Sequence, residues 1–514
     1  MADLVDGRAA VVFTHDAVAW TLGAGVEVYR HVEVANCLIT TVGVVAGVRG
    51  LLRTNEKSPT STASASIPDR TGSSNLHPSG FDTIMPKGLA TYTLRVTVVD
   101  SGQSISTKRG RPVMGVLPCV VAAGLAVAAF AAPAVAADDQ EPRLVGRAIL
   151  PADAYQPGPP SGAFISPDNG VMPPFPGQPI PGFSAVVDAG HGEFWAMPDN
   201  GYGAKTNSGD FLLRVYRIRP DFETAKGGSG EVEILGFVQL HDPDGKIPFP
   251  LMRADRLLTG ADFDVESLRR ARDGSLWFGD EFGPFLVHTD AAGRVLEAPI
   301  PLPGVQSPQN PFLPHPDAWT LRASRGFEGM ARSIDGKTLY PMLEGALRGD
   351  SDPRRRILHE FDMRADAYTG RTWQYRVETA FPDAVIGDLT ALDQHRFVLI
   401  ERDDDQGNGA RQKRVYLVDL RRFDAEGYLD KRLVLDLLHI PDPDGISLPA
   451  RPGEFGVGEL FSFPLQSVES LEVLGGERLL IANDNNYPFS DGRWVARDQP
   501  DDTELIVVRA PGLR

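Results

Sequence analysis

The stretch Val265-Glu-Ser-Leu-Arg-Arg-Ala-Arg-Asp-Gly-Ser-Leu-Trp-Phe-Gly-Asp-Glu281 is typical of a β-hairpin, because two short β-rich runs flank turn residues. Its first strand carries Glu266 and its second ends at Glu281, fifteen residues later. This spacing fits an antiparallel pair in which the start of one strand lies beside the end of the next. The hairpin therefore places two carboxylates at the same end of a sheet.

The same hairpin occurs five times between Gly182 and Asn485. The first strands read Gly182-Phe-Ser-Ala-Val-Val, Val265-Glu-Ser-Leu, Phe327-Glu-Gly-Met, Ile386-Gly-Asp-Leu-Thr and Val468-Glu-Ser-Leu. The partner strands end at Asp199, Glu281, Glu344, Glu401 and Asp484. The two acidic positions are about fifteen residues apart within a copy, or thirteen in the fourth. Such a period is the signature of a propeller or a solenoid.

Further β-rich runs follow the hairpins, for example residues 211–218 and 232–240 after the first, so that each unit has four strands. The fifth unit has only three, and the run Arg143–Leu150 is available as its missing outer strand. Pairing the two chain ends in this way removes an exposed sheet edge. We therefore predict an all-β β-propeller of five four-stranded blades, with six as the alternative.

Residues 107–136 have the pattern of a secretory signal peptide. Lys108 and Arg109 precede an apolar run that starts at Val116, and Ala134-Val-Ala136 forms a small-residue cleavage site. A buried core helix is the alternative. We predict a secreted or periplasmic protein whose propeller domain is 137–514, and we leave 1–106 unassigned, as a disordered extension or a mis-assigned start.

Charge and cysteine content restrict the partners. The net charge of −17 argues against nucleic acid and against an anionic membrane surface. The only cysteines are Cys37 and Cys119, so the predicted mature chain has none and must be held by its core, by sheet closure or by metal. We expect a monomer with no membrane span in the mature protein.

Five motifs also carry a family resemblance. They are Asp264-Val-Glu-Ser-Leu, Gly326-Phe-Glu-Gly-Met-Ala-Arg-Ser-Ile-Asp-Gly-Lys-Thr-Leu-Tyr340, Gly387-Asp-Leu-Thr-Ala-Leu, Leu399-Ile-Glu-Arg and Ala482-Asn-Asp-Asn. Their order and spacing resemble the phytase-like domain family, also called the "esterase-like activity of phytase" family, over roughly 143–510. The resemblance implies a phosphoric ester hydrolase or an esterase. The first blade contributes least to an acidic ring, since it carries Ser184 in place of a carboxylate.

The repeated acids are candidate ligands for a hard cation. Radial blades would bring them to one rim of a central channel, and calcium takes six to eight oxygen ligands. The predicted metal ligands are Asp199, Glu266, Glu281, Glu328, Glu344, Asp388, Glu401, Glu469 and Asp484. The alternative is that each acid caps a strand end or pairs with a neighbouring arginine such as Arg402.

Metal-assisted hydrolysis of a small-molecule phosphoester or related ester is the predicted reaction. The predicted catalytic residues are Glu328, Glu344, Asp388 and Glu401, and the predicted substrate-binding residues are Lys205, Arg256, Arg325 and Arg402. Serine or cysteine esterase chemistry lacks support, because residues 137–514 contain no Gly-x-Ser-x-Gly elbow and no cysteine. A non-catalytic, calcium-stabilised binding propeller is the alternative function.

Overall fold

The computed structural model describes residues 141–495 and 497–513, and four short strands earlier in the chain. Those four are Ala2–Val5, Arg8–Val11, Gly43–Val44 and Tyr92–Thr93, paired first with second and third with fourth. The chain divides into two compact units, Met1–Ala128 and Ala129–Arg514. The predicted signal peptide at 107–136 lies outside the described residues, as does most of the unassigned segment 1–106.

The repeated hairpins form antiparallel sheets of four strands, each running from an inner strand to an outer one. Blade 1 consists of Ala185–Gly190, Glu193–Met197, Arg214–Asp221 and Glu231–Gln239. Blade 2 consists of Val265–Arg270, Leu276–Asp280, Phe285–Thr289 and Ile300–Pro301. Blade 3 consists of Gly329–Arg332, Thr338–Met342, Arg355–Asp362 and Ala367–Arg376. Blade 4 consists of Val385–Ala391, Arg396–Arg402, Lys413–Phe423 and Leu429–Asp436.

Blade 5 is completed by a strand from the other end of the domain, Arg143–Leu150. It consists of Ser467–Gly475, Arg478–Asp484, Thr503–Arg509 and Arg143–Leu150. The last two strands pair antiparallel from Thr503 opposite Leu150 to Arg509 opposite Arg143. This pairing confirms the predicted closure of the propeller by its N-terminal strand.

The closing strand also touches blade 1, where Ile149 pairs in parallel with Glu231. Blades 5 and 1 therefore form one eight-stranded sheet. The count of five blades depends on dividing that sheet between these two strands, and it stays a prediction. Shorter elements lie in the connections: the pairs Tyr155–Gln156 with Gln178–Pro179 and Ile440–Pro441 with Leu460–Phe461, and the 3-10 turns Gly407–Gly409 and Pro511–Leu513.

The apolar core consists of separate clusters between consecutive blades. Leu268 and Ala185 belong to the cluster between blades 1 and 2, and Leu480 and Val186 to the cluster that joins blade 5 back to blade 1. The remaining clusters join blades 2 and 3, 3 and 4, and 4 and 5. Because each blade packs on two neighbours, the inner strands of blades 2, 4 and 5 are buried over most of their length, and the inner strands contact one another around a common centre.

Candidate metal centre

Bulges at the start of the inner strands position the acidic side chains. In blade 2, Val265 pairs with Asp280 and Ser267 pairs with Gly279, so Glu266 is the extra residue of a β-bulge. In blade 5 the equivalent extra residue is Glu469, between Val468 and Ser470. A bulge leaves one residue outside the ladder and re-aims its side chain. Both glutamates therefore leave the sheet at the same level of the channel.

In blade 4 the acidic pattern suggests Asp388 as the bulged residue, but the bulge lies one residue earlier in the chain. Ile386 pairs with Glu401 and Asp388 pairs with Ile400, so that the extra residue is Gly387. In the second strand, the residue equivalent to Glu281 and Asp484 is therefore Arg402.

The structure accordingly places Asp388 and Glu401 one residue out of register with the other acids. Gly387 is also required where it stands, because a Cβ atom there would lie 2.2 Å from the carbonyl oxygen of Val468. The shorter spacing of thirteen residues between Asp388 and Glu401 was the sequence signal of this shift. Blade 4 thus contributes an arginine to the centre instead of two carboxylates.

The remaining acids form one buried cluster, which we call the acidic cluster. It comprises Asp199, Asp264, Glu266, Glu281, Glu328, Glu344, Glu469 and Asp484, all of them buried. Two sets of three carboxylates within it each offer oxygens that lie within 4.8 Å of one another. These triads are Asp199–Asp264–Glu266 and Glu266–Glu328–Glu469, and they share Glu266.

Two arginines stand among these acids. One terminal nitrogen of Arg402 (Nη2) donates to Glu469 at 2.7 Å, to Glu344 at 3.2 Å and to Glu328 at 3.3 Å. Arg325 donates to the other oxygen of Glu344 at 2.8 Å. Burial alone would lower the pKa of Arg402, but Glu469 and Glu344 outweigh it and hold that pKa well above the usual value. The arginines are therefore charged and are tied to one side of the acidic cluster.

The other side of the cluster has too little positive charge. Burial and neighbouring carboxylates raise the pKa values of Glu266, Asp264 and Asp484 well above their usual range. Burial, with a contribution from Glu469, raises the pKa of Asp199 to about 7. Ionised carboxylates this close repel one another unless a cation lies between them.

Several oxygens of the cluster lack a partner among the described residues. Glu266 Oε2 and Asp264 Oδ1 are buried and accept no hydrogen bond, and the hydroxyl of Ser184, outside the cluster, is buried and unpaired as well. Unpaired buried polar atoms cost free energy, so each calls for an explanation. Calcium binds oxygens at 2.3–2.6 Å, and ligands around one ion would then be separated by at most about 5 Å. The donor set and its spacing therefore fit a hard cation.

Asp388 has a different role, because its hydrogen-bond partners lie outside the acidic cluster. It accepts hydrogen bonds from Arg269 of blade 2 at 3.1 Å and from the backbone N–H of Leu471 of blade 5 at 2.9 Å. Burial raises its pKa to about 6 against the opposing effect of Arg269. Asp388 and Arg269 thus link three blades below the candidate metal centre.

Glu401 points away from the centre as well. It accepts hydrogen bonds from Tyr375 at 2.6 Å, from Lys431 at 2.7 Å and from Gln412 at 2.8 Å. The backbone N–H of Glu378 donates a fourth at 2.8 Å. This carboxylate is fully engaged within the packing of blades 3 and 4, so the structure does not bring it to the other candidate ligands.

Of the four predicted substrate-binding residues, two lie at the acidic cluster and two lie elsewhere. Arg325 and Arg402 meet at the acidic cluster, whereas Lys205 lies 5.1 Å above the ring of Phe282. Arg256 is bound by Asp242 in the first of the two Asp-Pro-Asp-Gly segments. Those segments are turns whose leading aspartates, Asp242 and Asp442, accept backbone N–H groups that follow them.

Sequence reasoning missed two members of the site. Asp264 directly precedes Val265, so it lies just outside the motif that repeats across the copies. Asp404 lies in the acidic run Asp403-Asp-Asp405 and bonds both cluster arginines. Only the fold shows that these two carboxylates face the channel.

The family assignment agrees with this architecture. Residues 178–487 match the family described as "Phytase-like: Esterase-like activity of phytase". This chain belongs to the phytase-like family. The match spans all five hairpins, and therefore every residue of the acidic cluster.

A relative from Arthroderma benhamiae, described as an uncharacterized secreted protein, is 24% identical over 286 residues. The match covers 42% of this chain and 56% of that protein, so the chain spans about half the length of this relative. Among solved structures, a GH43 endo-arabinanase from Bacillus licheniformis is similar at 12% identity, with 63% of this chain and 92% of that chain covered and a TM-score of 0.32. Virginiamycin B lyase from Staphylococcus aureus is similar at 11% identity, with 64% of this chain and 95% of that chain covered and a TM-score of 0.28.

Within the described part of the chain, no helix has the length and apolar character needed to cross a membrane.

Proposed function

We propose that this phytase-like protein is an exported hydrolase that acts, with calcium, on phosphoesters or related esters at the acidic cluster. The observation that carries the proposal is the pair of carboxylate triads that share Glu266, whose Oε2 atom has no protein partner among the described residues. Membership in the phytase-like family supports the hydrolase class.

The triads would hold the cation, through Asp199, Asp264 and Glu266 on one side and Glu328 and Glu469 on the other. A bound calcium ion supplies positive charge that polarises a phosphoryl or carbonyl oxygen. Burial raises the pKa values of Glu328 and Glu344 above the usual value of a glutamate side chain. A carboxyl group of that kind suits proton transfer to or from a reacting group.

The arginines bind the anionic part of the substrate in this proposal. Arg325 and Arg402 both donate to Glu344, and the other terminal nitrogen of each donates to the half-exposed Asp404. A guanidinium group matches the geometry of phosphate and carboxylate oxygens. Asp388 and Glu401, which the sequence suggested as catalytic, are better explained as structural because their oxygens are engaged elsewhere.

A calcium-stabilised binding propeller is the second candidate, and the burial of the cluster favours it. Glu328 and Glu344 are only 3% and 2% exposed, so these carboxyl groups have little contact with a substrate in solution. A separate polar groove of about 300 Å³ lies on blades 3 and 4 and includes Arg376, Tyr428 and Lys431. Under this alternative the cation stiffens the ring and the ligand binds elsewhere.

Calcium titration by calorimetry tests the metal site, and a paired variant gives it a control. Glu266→Gln should weaken calcium binding at least ~10-fold, since even residues beyond the direct ligands change metal affinity by about 10–100-fold. Glu472→Gln makes the same change on an inner strand outside both triads and should bind calcium like the wild type. Equal calcium affinities in the two variants would contradict the proposed metal site.

Assays on phosphomonoesters, phosphodiesters and carboxylic esters then separate the two candidates. The hydrolase proposal expects turnover that chelator abolishes and added calcium restores. Calcium binding without turnover of any of these esters would instead support the binding propeller.

Export is the remaining part of the proposal. The signal-like pattern at 107–136 and the secreted relative from Arthroderma benhamiae support a secreted or periplasmic location. The N-terminus of the exported protein, sequenced directly, should lie near Ala137. A mature protein that begins at Met1 would contradict this maturation.

A further inference from the structure

Asp404 bridges the two arginines at the mouth of the acidic cluster. Arg402 donates from Nη1 to Asp404 Oδ1 at 2.6 Å, and Arg325 donates from Nη2 to Asp404 Oδ2 at 2.7 Å. The Asp404 side chain is 49% exposed, whereas those of Arg325 and Arg402 are 27% and 5% exposed. A solvent-facing carboxylate therefore covers two largely buried guanidinium groups.

The arginines are held in place by their other nitrogens. Nη2 of Arg402 is bound to glutamates of the cluster, and Nη1 of Arg325 donates to Glu344 and to the carbonyl oxygen of Ser324. Each arginine thus has one terminal nitrogen directed inward and one directed toward the mouth. Two fixed, outward N–H donors from different arginines form a ready site for an anion with two or more oxygens.

Asp404 is the most easily displaced member of this arrangement. Among the described residues its side chain is bound by the two arginines alone. The neighbouring Asp403 is instead anchored by the backbone N–H groups of Arg411 and Gln412 and by Lys413. The segment that carries Asp404 can therefore stay in place while its carboxylate turns into solvent.

We propose that Arg325 and Arg402 form the subsite for the phosphoryl oxygens of the substrate, and that Asp404 is an internal occupant which the substrate displaces. This inference rests on the proposed function in one respect: it names the substrate group taken at the same mouth. Asp404 would then determine specificity, because only a group that binds the two arginines more strongly than a single carboxylate can displace it. A phosphoryl dianion meets that condition, since it offers more charge and more acceptor oxygens.

Methylphosphonate tests the subsite without turnover, because it carries the phosphoryl oxygens on a carbon–phosphorus bond that a phosphoesterase does not cleave. Calorimetric titration of Asp404→Asn, with and without calcium, should show ~10-fold tighter binding than the wild type, because the competing charge is gone while the shape is kept. Asp405→Asn is the matched control: it removes a charge from an exposed residue of the same segment that has no ion pair with an arginine among the described residues. It should leave the affinity within about two-fold. Arg325→Gln should lose binding in both conditions.

Binding by Asp404→Asn that is no tighter than binding by Asp405→Asn would overturn the inference. If Asp404→Asn fails to fold, Asp404→Ser is titrated in its place, with the same expectation. A parallel titration with acetate assigns the substrate group, since tighter binding of acetate than of methylphosphonate would overturn the phosphoryl assignment. If the phosphonate affinities follow the predicted order but no ester is hydrolysed, this inference stands and the proposed hydrolase is rejected. If an ester is hydrolysed but the variants bind methylphosphonate with equal affinity, the hydrolase stands and this inference is rejected.

Discussion

Arg402 shows how one residue changes the character of the candidate site. Its position is acidic in the other four blades, where Asp199, Glu281, Glu344 and Asp484 stand. The guanidinium group instead supplies a positive charge to three glutamates. A buried charge that loses its partner is strongly destabilising, so Arg402 should matter for stability as well as for ligand binding.

Replacing Arg402 by Gln should lower the free energy of unfolding by about 3–5 kcal/mol in chelator, because Glu328, Glu344 and Glu469 would be left uncompensated. Calcium should recover part of that loss by supplying positive charge at the same place. Denaturant titration measures both values. Arg422→Gln, on an exposed outer position, serves as the control and should change stability by less than about 0.5 kcal/mol.

The closing strand is the element on which the ring depends. Arg147, in the middle of Arg143–Leu150, donates to Glu504 at 3.1 Å and contacts Glu454 at 2.5 Å. Arg493 is fully buried and binds Glu504 from the other side at 2.6 Å. Arg147 and Arg493 hold the pKa of Glu504 down to about 2 although burial alone would raise it. Charge pairing therefore reinforces the backbone pairing between the chain ends.

Substituting Arg147 by Met should destabilise the protein by about 3–5 kcal/mol, since the change keeps the bulk but removes one partner of a buried ion pair. A matched variant is Arg219→Met, whose side chain is 49% exposed and whose ion pairs lie at the surface. Such surface pairs contribute about 0–1 kcal/mol. Thermal or denaturant unfolding that ranks the two variants equally would show that the closing strand is held by backbone pairing alone.

For the whole molecule, we predict that the acidic cluster makes stability depend on pH and on calcium together. In the folded state the pKa of Asp199 is raised from 3.8 to about 7, and those of Asp264, Glu266 and Asp484 are raised as well. A carboxyl whose pKa is higher in the folded state binds protons more tightly there, so stability is greatest below the unfolded pKa. It is lost as pH rises through the folded value.

In chelator, these groups should therefore make the melting temperature decrease as the pH is raised from about 4 to about 7 and above. Saturating calcium should flatten the decline, because a ligand bound only to the folded state stabilises it by mass action. Melting curves across this pH range, with calcium and with chelator, measure the difference. Parallel curves under the two conditions would mean that no cation binds the cluster.

Much of this architecture could be predicted from the sequence because its causes are local. The strand pattern of each hairpin, the spacing of about fifteen residues and the spare strand Arg143–Leu150 are all visible in the chain. The same regularity identified the family and the acidic positions of blades 2, 3 and 5, including Glu266, Glu328 and Glu469. A repeat preserves such features because every copy must pack in the same way against its neighbours.

The tertiary structure decided which side chains of blade 4 face the centre, although the shorter spacing of thirteen residues already marked this blade as different. Residue type favoured Asp388 and Glu401, but the bulge there is set by the close approach of Gly387 to Val468 of the next blade. That contact joins residues far apart in the chain, and it shifts the register by one residue. Since neighbouring residues in a strand point to opposite faces, the shift turns both acids away and turns Arg402 inward.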